Sequence, residues 1–434
     1  MSVLIQHAKF IYPGSDFHEM IVDIGISDNG HTINISNADL KEHPAIIVDG
    51  KKVWHTEETT EEALCVAPGF VDVFADYREP GFEQKETIAS GLRAAAAGGF
   101  TDVLLAPNTK PAIATQSGVQ YVLQRASGSV VRLHPLGAIT QDIEGKSLAE
   151  MLDMRTHGAI GFTDGWHPVQ NTNLMLKAME YAKSFDGVLL QIPLDASLAA
   201  GGLMHEGVLS TRLGMAGIPV LAETIMIHRD LELLRYTNSK LHITGVSTAE
   251  GVNMIRAAKA EGLNVTCSAT PYHLALSDEA LSSYDSVYKV SPVLRSENDR
   301  QALIAALSDG TIDCIASHHR PQDWDSKAKE FEYAGEGMNL QELAFNVVWQ
   351  ALREKVSLER LVDAFSIQPR KIFGLQPAVQ NEGMISLTIF SPGSETDFHE
   401  ANIKSLSRNN PFIGGKLSGK ILGIFSRNQL HLNR

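Results

Sequence analysis

Asp76, Asp164 and His318 are the side chains best suited to hold a divalent cation, since carboxylate oxygens and an imidazole nitrogen make a plausible ligand set. No two of them form a local pair, so only the fold could bring them together. Asp76 stands in PGFVDVFADYREPG, two residues after Phe74, and a strand would put both on one face. Two residues further, Arg78 offers a planar guanidinium, and the amide of Asn108 could join it in gripping a carboxylate. The competing use of Arg78 is an internal ion pair, with Glu79 or Glu86 as partner. His318 and His319 are adjacent, so in an extended segment they point to opposite faces and cannot chelate one ion.

The elements that must carry these residues follow from hydrophobic patterning. Residues 1–65 alternate apolar and polar in short stretches such as VLIQHAKFIY, IVDIGIS, HTINIS and AIIVDG, which predicts a small β module. From residue 66 the runs CVAPGFVDVFA, TDVLLAP, VVRLHPLGA, AIGFTDG, GVLLQIP, KLHITGVS, NVTCSAT and TIDCIAS alternate with helical segments such as KETIASGLRAAAAGG. That alternation predicts an α/β fold with a parallel sheet covered by helices, most economically a (β/α)8 barrel over 66–375, with a doubly wound sheet as the rival. Alternation returns in EGMISLTIFSP and KILGIFS, so 376–434 is expected to rejoin the N-terminal β module. In a barrel the chemistry sits at the C-terminal strand ends, where Asp76, Asp164 and His318 fall.

Composition narrows the function classes. In 434 residues, 44% are apolar and 20% charged, as in an ordinary globular protein. A formal net charge of −14 argues against nucleic acid or an anionic membrane as a partner. Cys65, Cys267 and Cys314 each lie in an apolar run and read as buried thiols of a reducing compartment. The opening MSVLIQHAKFIYP has no signal-peptide pattern and no apolar run reaches membrane-spanning length, so the cytoplasm is the expected location.

The strand-end blocks resemble those of the dihydroorotases of the amidohydrolase superfamily, the type found alongside aspartate transcarbamoylase. PGFVDVFADYREPGFEQKETIASGLRAAAAGGFTDVLLAPNTKP, AIGFTDGWHPV, HITGVSTAEG, TCSATPYHLALSDEAL, VSPVLRSENDRQAL and DGTIDCIASHHRPQ carry the resemblance, and so does the tail LSRNNPFIGGKLSG. It implies a TIM-like (β/α)8 barrel plus a small β-sandwich domain formed from both termini. It also implies a zinc-dependent opening of a cyclic amide, in which the metal supplies hydroxide near neutral pH.

The same resemblance shows what this chain lacks. The family's His-x-His after the first strand corresponds to Phe74 and Asp76, its ligand after the fifth to Ile192, and its histidine after the sixth to Gly245. Its catalytic aspartate after the eighth strand corresponds to His318, in His318-His319-Arg320-Pro321-Gln322 where the family reads Asp-His-Ala-Pro-His. Asp164 keeps a carboxylate where the family has a bridging one. Arg78 and Asn108 match the residues that hold the substrate carboxylate, whereas Ser291 and Gln322 replace two others. His205, His242 and His319 read as structural.

The expectation is therefore a pseudo-dihydroorotase of pyrimidine biosynthesis with no resident metal and no catalytic residue, a homo-dimer or larger, acting as a structural partner of aspartate transcarbamoylase. One alternative is an active dihydroorotase or cyclic amidohydrolase with an unconventional metal site on Asp76, Asp164 and His318. The other is a regulator that senses a metabolite through Arg78 and Asn108.

Overall fold

The computed structural model describes residues 2–433 except 29, 31, 39–42, 59, 61 and 380–384. Parts of two stretches read above as strands, His31 in HTINIS and 382–384 in EGMISLTIFSP, lie outside the described residues.

Eight parallel strands, neighbours in the order in which they occur along the chain, form a barrel, and a separate two-stranded sheet of Met204–His205 and Gly217–Ile218 intervenes between the fifth and the sixth. The eight are β1 (Phe70–Ala75), β2 (Phe100–Leu105), β3 (Arg132–Gly137), β4 (Gly161–Phe162), β5 (Val188–Gln191), β6 (Lys240–Thr244), β7 (Val265–Ala269) and β8 (Cys314–Ile315). Strands covered on both sides need apolar residues on both faces, which is why most of these runs are nearly continuous in Val, Ile, Leu and Phe. The outward face packs under helices such as Ile88–Ala97 and Ala249–Ala260, begun by Thr87 and Thr248, whose hydroxyls accept a backbone N–H of the first turn.

The barrel interior is divided. Val71, Val73, Leu104, Leu136, Leu190 and Cys314 make one side apolar. Along the seam of β6 and β7, Thr266, His242, Ser268 and Thr244 form a hydrogen-bonded series.

β1 and β8 close the ring with little ladder pairing. A bridge joins Ala75 to His319, and the Asp76 N–H donates to the His319 carbonyl at 2.9 Å. Below it, Asp72 accepts from the Ser317 N–H at 2.9 Å, from the Ser317 hydroxyl, and from the Gln341 amide at 2.6 Å. Burial raises the Asp72 pKa against the pull of these donors.

A nine-stranded mixed sheet makes the smaller unit. Its order is Gln429–Leu432, Gly415–Ser426, Leu387–Phe398, Cys65–Pro68, Val3–Phe10, Ile21–Ile26 and Ile33–Asn37, with Ala45–Val48 and Lys51–His55 branching from Val3–Phe10. Both ends of the chain therefore contribute to one sheet around a core that includes Ile5, Phe10, Ile24, Leu387 and Phe425. The run CVAPGFVDVFA, read as one barrel strand, is two. Cys65–Pro68 pairs with Leu387–Phe398 in the mixed sheet, and the chain enters the barrel only after Gly69. A Cβ at Gly69 would lie 2.2 Å from the Thr101 hydroxyl, so this close crossing requires glycine. Among the described residues, no helix is long and apolar enough to cross a membrane.

Asp72→Ala strands the Ser317 N–H and the Gln341 amide in a dry wall, at about 1–3 kcal/mol for each unpaired group. The expected result is a loss of about 3 kcal/mol or more in urea unfolding; a loss below about 1 kcal/mol would mean that closure does not rest on Asp72.

Candidate functional site

The C-terminal ends of the strands place Phe74, Trp166, Ile192 and His318 at the barrel mouth. Phe74 and Trp166 meet edge to face with ring centroids 5.3 Å apart. His318 lies 4.8 Å from Phe74 and 5.3 Å from Trp166, completing a three-ring plug. Ile192 is buried in the same apolar cluster, which continues down the barrel. His318 and Gly245 are fitted to each other, because a Cβ at Gly245 would stand 2.6 Å from the His318 Cε1. Gly245 also has φ +75°, a left-handed conformation that suits glycine.

His318 extends the polar seam. Its Nε2 is 2.8 Å from the Thr244 hydroxyl, which is 2.9 Å from the Ser268 hydroxyl. Ser268 is 3.1 Å from His242 Nε2, and His242 Nδ1 is 2.9 Å from the Thr266 hydroxyl. The His318 Nδ1 is buried without a partner among the described residues. Burial drives the His318 pKa well below the usual histidine range, with His273, His242 and Arg320 adding electrostatic opposition to a charge. His242 is pushed down to about 3 and His273 to about 4, burial being the main cause in both.

The two carboxylates are engaged elsewhere. Asp76 Oδ1 accepts from the Arg78 N–H at 2.9 Å, while Oδ2 faces the Arg78 guanidinium at 3.1 Å and the Trp166 indole N–H at 3.3 Å. Asp164 turns to the loop after β3, accepting from the Ile139 and Thr140 N–H groups at 2.9 Å and from the Thr140 hydroxyl at 2.5 Å. Burial pushes its pKa up to about 6. Asp76, Asp164 and His318 thus serve three different networks. Among the described residues, no three His, Cys, Asp or Glu side chains are arranged to hold a metal ion.

Zinc takes three or four N, O or S donors at about 2.0–2.3 Å. Of the six positions that correspond to the family's ligands and acid, Phe74, Ile192 and Gly245 have no donor atom in their side chains, Asp76 neutralises a guanidinium, Asp164 is turned to the loop after β3, and His318 is packed between rings. The residues present do not fit the metal that the resemblance implies.

Arg78 finds its internal partner in Asp76, not in Glu79 or Glu86. Glu79 instead accepts from Arg125, Tyr121 and the Ile88 N–H, and Glu86 from Ser90, Ser405 and the Leu406 N–H. Asn108 secures the turn after β4: its Nδ2 donates to the Asp164 carbonyl at 3.1 Å and its Oδ1 accepts from the Trp166 N–H at 3.3 Å. The Gln322 Oε1 accepts from Lys85 at 2.6 Å, and the Ser291 carbonyl accepts from the Tyr272 hydroxyl at 3.4 Å. His319 faces away from the plug, toward Tyr77 and Glu86. His205 Nδ1 lies 3.3 Å from the Arg295 guanidinium. Trp166 went unremarked in the sequence, although an aromatic two residues past Asp164 at a strand end was a usable signal.

A family model described as "Dihydro-orotase-like" matches residues 64–251. A protein named "Dihydroorotase" from Syntrophus aciditrophicus (strain SB) is 41% identical, the match covering 83% of this chain and 85% of that protein. One of the same name from Syntrophobacter fumaroxidans is 37% identical over 99% of this chain and 97% of its own length. Among solved structures, the L-hydantoinase (dihydropyrimidinase) of Arthrobacter aurescens superposes with a TM-score of 0.81 at 21% identity, covering 98% of this chain and 95% of that one. That likeness concerns the fold: a barrel joined to a β-sandwich.

His242, at about 3 folded against about 6.5 when unfolded, stays neutral in the native protein while the unfolded chain takes up a proton. The stability this represents is present above pH 6.5 and is lost as pH falls toward 3. Between pH 7 and 5.5 the wild type is expected to lose roughly 1 kcal/mol more than His242→Gln in urea unfolding. Asp164 and Asp230, both pushed up to about 6, act in the opposite sense in both proteins and cancel in the comparison. Equal slopes would show that His242 charges in the folded state.

Proposed function

The chain belongs to the dihydroorotase-like family, and from that premise we propose that it is a member without the hydrolytic centre, serving pyrimidine biosynthesis as a structural partner of aspartate transcarbamoylase. The observation that carries this reading is the plug. Where hydroxide would have to be generated, Phe74, Trp166, Ile192 and His318 pack against one another. Without a metal, water has a pKa near 15.7 instead of about 7, and activation falls to a general base. His318 is the imidazole at the family's acid position, and it is sealed among rings with its Nε2 engaged by Thr244. Asp76 is tied to Arg78. Neither can reach a water and a substrate together.

The name shared by the curated relatives favours ring opening, and a likeness of 41% would ordinarily carry an activity with it. Here the difference lies at the reacting positions themselves, so frame and chemistry part company. What persists is the frame: a closed barrel, the joined β unit and the loops at the mouth. An assembly role uses that frame without needing a reacting centre.

Purified without chelator, the protein is expected to contain well under one zinc per chain and to open the dihydroorotate ring no faster than buffer, with or without added Zn2+. Zinc-dependent turnover that survives further purification would establish the active alternative. On the assembly side, sedimentation velocity of a mixture with the aspartate transcarbamoylase of the same organism should yield a species heavier than either protein alone. Independent sedimentation of the two would remove that partner.

A further inference from the structure

The floor of the barrel, where its strands begin, holds more positive charge than negative. Asp102 lies near the start of β2 and faces Arg132, His134 and Arg370 at 3.9, 2.9 and 2.8 Å. Among the described residues it is the one carboxylate paired with any of the three. Burial opposes its charge, yet Arg370, His134 and Arg132 together hold its carboxyl well below the usual range. Arg370 in turn opposes the charge of Arg132, and so does Arg427.

One carboxylate cannot balance two guanidiniums. Arg370 is only 6% exposed, and its terminal nitrogens otherwise donate to neutral carbonyls, of Gly69 at 2.8 Å and of Gln376 at 3.2 Å, and to the Thr101 hydroxyl at 3.2 Å. The Nε atoms of Arg132 and Arg370 are both buried without a hydrogen-bond partner among the described residues. A buried cation whose counter-charge is shared carries a large desolvation cost, which a further anion nearby would offset.

A cavity of about 200 Å³ adjoins this network. Arg370 and Lys371 stand in its lining, with Tyr12 and Ser366, and the lining includes no carboxylate. The rest is apolar, with Pro68, Ile367 and Leu375 among its members. Ser366 and Ile367 belong to a π-helical turn, Asp363–Ile367, set between the helices Leu358–Val362 and Gln368–Phe373. Single turns of this kind occur frequently at functional sites.

We propose that this cavity binds a small carboxylate with a compact apolar body, its oxygens held by Lys371 in the field of Arg370 and its body against Pro68, Ile367 and Leu375. A carboxylate there gains a charge-assisted bond at the rim and offsets the unbalanced guanidinium charge behind it. The volume is below the range of drug-sized ligands, so the occupant is small. A phosphate ion would satisfy the cations but leave the apolar wall uncovered. The cavity lies at the opposite end of the barrel from the plugged mouth and shares no residue with it, so the inference does not rest on the non-catalytic reading.

Titration calorimetry of the full chain at constant ionic strength tests this, with benzoate, hexanoate, inorganic phosphate and benzylamine in separate series. At least one of the two carboxylates is expected to bind saturably, and about tenfold more tightly than phosphate or benzylamine. Lys371→Glu is an exposed change that leaves the floor network in place, and it should weaken that binding about tenfold or more. Lys146→Ala, also exposed but outside the cavity, should leave it unchanged. Arg370→Gln should abolish it in protein whose circular dichroism matches the wild type; if that variant does not fold, Lys371→Glu decides alone. No saturable heat with either carboxylate, equal affinity for phosphate or benzylamine, or wild-type affinity in Lys371→Glu would overturn the proposal. Zinc content and ring opening report on the earlier reading alone, so the two can fail separately.

Discussion

A carboxylate sealed in the barrel wall lets the first and last strands meet. Strands β1 and β8 exchange few backbone hydrogen bonds, and Asp72 supplies what the ladder lacks by taking a backbone N–H, a hydroxyl and an amide from the β8 side. The arrangement has a cost, since burial opposes the carboxylate's charge, and three donors must offset it. Because the mouth is built on the residues just above this join, its geometry depends on the join being made. Phe74, Asp76 and His318 keep their places only while β1 and the segment after β8 stay in register.

Above the join, each potential ligand has a partner within the protein, and only the His318 Nδ1 is left without one among the described residues. Burying polar groups favours structures in which donors and acceptors are used, and here Asp76, Asp164 and the Nε2 of His318 are engaged in that way. Asp76 balances Arg78, Asp164 holds the loop after β3, and His318 ends a series of hydroxyls and imidazoles. The apolar rings then fill the remaining volume.

Much of the fold was legible because strands covered on both faces announce themselves as apolar runs, and the eight runs correspond to the eight barrel strands. The split of CVAPGFVDVFA at Gly69 was hidden, since an apolar run does not reveal which of two sheets it joins. At the site, the absence of donors at Phe74, Ile192 and Gly245 could be read directly from residue type. Partner choice could not. Arg78 selects Asp76 over Glu79 because a turn brings both backbone and guanidinium onto that carboxylate, and Arg125 claims Glu79 from a distant helix. The position of Trp166 at a strand end was a usable signal, but its contacts with Phe74, His318 and Arg320 were not legible, because they join three segments distant in sequence.

The seam that climbs β6 and β7 has a direction. Each hydroxyl in it must donate one way and accept the other, so the tautomers of His242 and His318 are linked through Thr244 and Ser268. If His318 carries its hydrogen on Nε2, the series runs downward and His242 carries its own on Nδ1, toward Thr266; reversing one reverses all. The unpartnered His318 Nδ1 decides between the two, because a stranded lone pair costs less than a stranded N–H. This difference in cost favours the downward polarity, and it gives the two imidazoles of the seam a single proton order.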